Sequence, residues 1–117
     1  MTVQASSAQL STEEIQDIEE AQKTDEELRE MFSQSEEQLQ RKKFRVSPQG
    51  ILYRVEGDQW LMVVPKVLQQ KNIRENHDVP SIGHVGLNRI VDHIKRAFWW
   101  RGIWSTVGEY VRTYPVC

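Results

Sequence analysis

Two histidines, His77 and His84, stand with six residues between them, and Cys117 lies far downstream with Tyr114 three positions before it. Imidazole nitrogen and thiolate sulfur are the donors that zinc accepts, and a structural zinc site is tetrahedral with four protein ligands. Two close pairs that are remote in sequence let one ion pin two segments of chain together. His77, His84 and Cys117 are the candidate ligands. The fourth place, where the layout asks for the first member of a Cys-x-x-Cys pair, holds Tyr114. A phenol with an ordinary pKa near 10 is a poor ligand at neutral pH. Three donors leave one coordination position open, which weakens the metal.

The residues around these positions extend the pattern. His77, Asp78, Pro80, Gly83, His84 and Gly86 read His-Asp-x-Pro-x-x-Gly-His-x-Gly. Trp99, Trp100 and Gly102 follow a helix-length spacer, and Tyr110, Val111, Pro115, Val116 and Cys117 close the stretch. It resembles the His-His-Cys-Cys zinc-binding domain of retroviral and Ty3/gypsy-type retrotransposon integrases, with one departure: Tyr114 stands where that family has a zinc-ligating cysteine. The resemblance implies a three-helix, zinc-finger-like bundle over residues 66–117. It also implies zinc as cofactor, DNA as partner, self-association and a nuclear setting. Residues 12–65 resemble, less closely, the small extension domain that precedes the zinc domain in some retroviral integrases. That likeness rests on the order of elements and on the segment QGILYR, residues 49–54.

The elements that must position these residues follow from periodicity. Residues 66–76 read as a helix that delivers His77, and residues 78–83 as a loop broken by Pro80 and Gly83. Leu87, Ile90, Val91, Ile94 and Phe98 share one helical face. Arg89, Asp92 and Arg96 fall on the opposite face, with Lys95 at its border. Arg89, Lys95 and Arg96, with Arg101 in the following turn, are the candidate nucleic-acid contacts. His93 lies off the apolar stripe and reads as a surface histidine, not a ligand. Trp99, Trp100 and Trp104 gather at the Arg101-Gly102 turn, where they read as a core joining two helices more readily than as a stacking platform. Ile103, Val107, Tyr110, Val111 and Tyr114 then recur at helical spacing, so the Tyr114 ring is placed to fill the volume of an absent sulfur.

Ahead of this segment, residues 1–11 read as a flexible start. Ser11 with Glu14 forms a capping box, and Leu10 with Ile15 has the spacing of a hydrophobic staple. Thr24 with Glu27 repeats the box, so the acidic stretch reads as one long helix or as two broken near Thr24. The basic knot Arg41, Lys42, Lys43 and Arg45 leads into three short apolar runs at 44–46, 51–55 and 60–64, punctuated by turns at 47–50 and 56–59. These form a three-stranded antiparallel meander whose edges the N-terminal helix is expected to cover. The fold class is therefore α+β: an extension module over 12–65, then a helical domain over 66–117.

Residues 1–40 hold two basic and eleven acidic side chains, a charge of −9. Residues 41–117 hold thirteen basic and six acidic, +7, which together give the chain its −2. An acidic arm beside a basic body suits nucleic-acid contact, and equally suits two solvated faces. One cysteine leaves no internal disulfide and fits a reducing, intracellular compartment. The opening MTVQASSAQL lacks the basic flank and apolar run of a secretory leader, and no apolar run reaches membrane-spanning length. No phosphate loop, nucleophile elbow or HExxH pattern occurs. The three-carboxylate core with which integrases transfer DNA strands is not recognisable, so neither an enzyme nor a small-molecule substrate is expected. Two functions remain open: a DNA-binding, multimerising module of a retroelement integrase or of a host gene derived from one, and a metal-free, domesticated protein-interaction module.

Overall fold

Ser11 opens the first helix, α1 (Thr12–Thr24), as the capping box predicts. Its hydroxyl accepts from the Glu14 N–H at 3.1 Å, and the Glu14 carboxylate accepts from the Ser11 N–H at 3.1 Å. The structure is a computed structural model and describes residues 11–77 and 86–113. The expected staple residue Leu10 and the expected loop over 78–83 lie outside the described residues.

The next helix, α2 (Glu26–Arg29), starts one residue later than the sequence suggests. Asp25, not Thr24, is its cap: the carboxylate accepts from the N–H groups of Glu27 at 2.9 Å and Leu28 at 3.1 Å. Thr24 instead donates its hydroxyl back to the Ala21 carbonyl at 3.2 Å, the local bond that draws Thr away from caps. The second Asp25 oxygen accepts from the N–H of Lys66 at 2.9 Å, at the start of α4 (Lys66–His77). A 3₁₀ turn (Glu30–Ser33) and α3 (Glu36–Arg41) follow. A second capping box, Ser35 with Gln38, opens α3.

Strands β1 (Phe44–Val46), β2 (Leu52–Glu56) and β3 (Gln59–Val63) run antiparallel, with Phe44 opposite Arg54 and Tyr53 opposite Met62. Alternation sends Ile51, Tyr53 and Met62 to one side, where Ile18 of α1 covers them. Phe44, Leu52 and Val63 face the other side, against Met31 and Leu39. The sheet is thus covered on both faces, and the short elements after α1 supply the second layer.

A fourth strand, β4 (Phe98–Trp99), adds parallel to β3, with Met62 opposite Phe98 and Val63 opposite Trp99. The Met62 N–H donates to the Ala97 carbonyl at 2.8 Å and the Val64 N–H to that of Trp99 at 2.9 Å. Sequence reasoning placed Phe98 on the apolar face of the preceding helix and Trp99 in an aromatic turn; that helix instead ends at Ile94, and Phe98 enters the sheet. The boundary expected after residue 65 is therefore crossed by a shared sheet.

Helices α4, α5 (Leu87–Ile94) and α6 (Ile103–Thr113) close on a core of Val64, Ile73, Ile90, Val91, Ile94, Trp100, Ile103, Val107 and Tyr110. Leu87, Phe98 and Val111 pack on its rim. The three tryptophans part company, contrary to the expected common core. Trp100 is 1% exposed, Trp99 is half-buried in β4 and Trp104 is 47% exposed. The motif glycines Gly86 and Gly102 have φ of +98° and +77°, backbone that side-chain-bearing residues rarely adopt. The described residues thus form six α-helices and a four-stranded sheet, and none of these helices is long and apolar enough to cross a membrane.

One polar side chain ties α1 to the sheet. Gln22 is fully buried. Its amide nitrogen donates to the carbonyls of Leu52 at 3.0 Å and Val63 at 2.8 Å, and its amide oxygen accepts from the Leu52 N–H at 2.8 Å. Gln22→Leu keeps the volume and strands these three backbone groups. We expect a loss of about 1–3 kcal/mol for each group left unpaired, read as a lowered urea midpoint. Ser11→Ala should cost roughly 0.5–2 kcal/mol through the exposed cap alone. Unchanged midpoints would show that neither bond forms in solution.

Candidate metal and nucleic-acid site

His77 is the last residue of α4. His84, Tyr114 and Cys117 lie outside the described residues, so the ligand set itself is not placed. What is placed is the chain that leads to it. Arg74, in the last turn of α4, and Thr113, at the end of α6, line one groove together with Tyr110. A Cβ built on Gly108 of α6 would meet the Leu87 side chain, at the start of α5, at 3.9 Å. The end of α4, the start of α5 and the second half of α6 are therefore neighbours. Each leads directly into a segment that carries candidate ligands.

The donor chemistry is two imidazoles, one thiol and one phenol. Three of these suit zinc and the fourth does not. Where a zinc ion is held, His77, His84 and Cys117 would hold it, and it would cross-link the three helix ends as a structural ion. Among the described residues no group of three His, Cys, Asp or Glu side chains is placed to share a metal.

The candidate nucleic-acid residues divide into two groups. Arg89, Arg96 and Arg101 are exposed, and none makes an ion pair with another described residue. Lys95 is half-buried and engaged: its ammonium lies 3.3 Å from Glu56 Oε1 at the end of β2. Sequence reasoning missed this pair, because partners on different elements leave no periodic signal. Asp92 is exposed between Arg89 and Arg96 and dilutes the positive face. His93 is half-buried. Burial first, and the neighbouring Arg96 guanidinium second, hold its pKa below the usual imidazole value, so it adds little charge to that face at neutral pH.

Behind this face, aromatic rings meet a guanidinium. Phe44 and Trp99 pack edge to face with centroids 5.5 Å apart, and Arg54 lies over Trp99 at 4.6 Å and over Phe44 at 5.2 Å. Trp99 is thus occupied within the fold and not offered for base stacking. Trp104 is the exposed tryptophan.

Comparison with known proteins bears on the same segment. Residues 64–117 match the family model described as the integrase zinc binding domain. No curated protein and no solved structure matches the chain. The match agrees with the likeness read from the histidine and tryptophan motifs: this segment is similar to the zinc domain at the N-terminal end of integrases.

Among the described residues, α4, α5 and α6 already share a core of Val64, Ile73, Ile90, Val91, Ile94, Trp100, Ile103, Val107 and Tyr110. We therefore expect the fold to survive removal of metal. Helicity by circular dichroism should be unchanged when a chelator is added, and any bound zinc should be lost to it. Tyr114→Cys should restore tight zinc binding and raise the Tm in zinc, since a complete structural site can contribute ~10–16 kcal/mol to folding. Unfolding of the natural protein by chelator would show that the existing donors already suffice.

Proposed function

We propose that the chain is a non-catalytic, integrase-type zinc-binding module that acts in duplex DNA binding and self-association, in a retroelement integrase or in a nuclear host protein derived from one. The observation that carries this reading is the exposed pair Arg89, on α5, and Arg96, in the turn that follows it, within the segment that matches the integrase zinc-binding family. Phosphate contacts by Lys and Arg release condensed counterions, so the exposed Arg89 and Arg96 suit duplex DNA without any base-specific group. Arg101 continues the exposed cations beyond α5. Zinc is the cofactor of this reading, weakened by Tyr114.

A second reading is favoured by a different observation. Exposed carboxylates on α1 to α3, among them Glu13, Glu20, Glu26, Glu30, Glu36 and Glu37, present a strongly acidic side. With Tyr114 at a ligand position, the same fold serves as a metal-free protein-interaction module.

Binding to duplex DNA as a function of salt separates the two. Wild-type affinity should fall as salt rises. Arg89→Glu with Arg96→Glu should weaken binding and flatten the slope of log K against log salt by about 0.9 for each phosphate that is no longer neutralised. Absence of salt-sensitive binding by the wild type at low ionic strength would end the DNA reading and leave the interaction module.

A further inference from the structure

Glu56 sits at a seam. Its Oε1 lies 3.3 Å from the Lys95 ammonium, and its Oε2 lies 3.6 Å from Arg54 Nε. The two cations differ in freedom. Arg54 is fixed: its guanidinium lies over Trp99 and beside Phe44, and one terminal nitrogen donates to the Lys42 carbonyl at 3.2 Å. Lys95 follows the last turn of α5 on a flexible stem, next to exposed Arg96. Arg54 thus holds a fixed positive charge beside one Glu56 oxygen, and the other oxygen faces Lys95. Of Arg89, Lys95 and Arg96, Lys95 is the one that pairs with a carboxylate among the described residues.

We propose that Glu56 is a built-in competitor for backbone phosphate. It occupies Lys95 and so sets the number of cations that α5 and the turn after it offer to a duplex. This inference rests on the DNA reading above and adds to it the residue that limits affinity. A carboxylate and a phosphate ester oxygen are equivalent acceptors for an ammonium. An ion pair with both side chains about one-third exposed is a weak and salt-screened hold. Its strength suits tuning of affinity more than stability.

The test is a cycle of variants in the full chain: Glu56→Gln, Lys95→Gln and the double variant, each confirmed folded by circular dichroism, with duplex affinity measured across salt. Glu56→Gln should tighten binding and steepen the slope by about 0.9, the equivalent of one further phosphate neutralised. Lys95→Gln alone should leave the wild-type slope unchanged. The double variant should return to that slope. Three results of this cycle overturn the proposal on its own. In the first, Glu56→Gln leaves the slope unaltered. In the second, the tighter binding survives in the double variant, which is removal of a negative charge and no more. In the third, Lys95→Gln alone flattens the slope, which means that Lys95 already meets phosphate. A wild type without salt-sensitive binding overturns both the DNA reading and this one. A wild type whose binding depends on Arg89 and Arg96, with Glu56→Gln silent, overturns this one alone.

Discussion

The fold depends on a glutamine amide acting as a rung of the sheet. The β2–β3 register ends at Tyr53 opposite Met62, and the next pair would bring Leu52 to Val63. Gln22 takes that place, satisfying Leu52 on both its N–H and its carbonyl and Val63 on its carbonyl. A buried amide without partners is costly, and so are the backbone groups it serves. The whole set is stable only when α1, β2 and β3 are assembled together. Leu52 and Val63 belong to the core on one face of the sheet, and Ile18, one turn before Gln22, belongs to the core on the other. The same side chain therefore sets the depth at which α1 rests on the strands and the point at which β3 leaves β2.

From that point β3 belongs to the other half of the chain. Val63 pairs with Trp99, and Val64 enters the core of α4, α5 and α6. Arg54, Phe44 and Trp99 pack together at the junction, and Asp25 binds the start of α4. The segment that matches the zinc-binding family opens at Val64, the first residue in chain order of the core that α4, α5 and α6 share. Much of what holds α5 and α6 in place is thus sheet pairing and apolar packing, which lessens what a metal ion must contribute.

Much of the candidate site's framework was legible in the sequence. The stripe of Leu87, Ile90, Val91 and Ile94 predicted both a helix and its buried side, and the Ser11–Glu14 box marked a helix start at the correct residue. These signals are local, repeated every three or four residues or held within one turn. What escaped notice was set by tertiary contact. Phe98 and Trp99 form too short a run to show a strand period, and they become a strand only because β3 offers an open edge. Gln22 reads as one more polar residue in an acidic helix until the gap between β2 and β3 is known. Trp104 is chemically the same as Trp100, and its opposite fate follows from its side of α6. Lys95 looked as available as Arg96 because its partner, Glu56, comes from a hairpin far upstream.

The parallel pairing of β3 with β4 joins Met62 to Phe98, 36 positions apart, and this orders events during synthesis. When the meander leaves the ribosome, β3 has an unpaired edge, and the run Trp60, Leu61, Met62, Val63 and Val64 behind it is almost wholly apolar. Such an edge is a template for another chain until it is covered. The strand that covers it is made only after α4 and α5. The nascent protein thus passes through an interval in which its sheet can be completed by its own next segment or by a neighbour, and α5 and α6 resolve that choice as they fold and draw β4 into place.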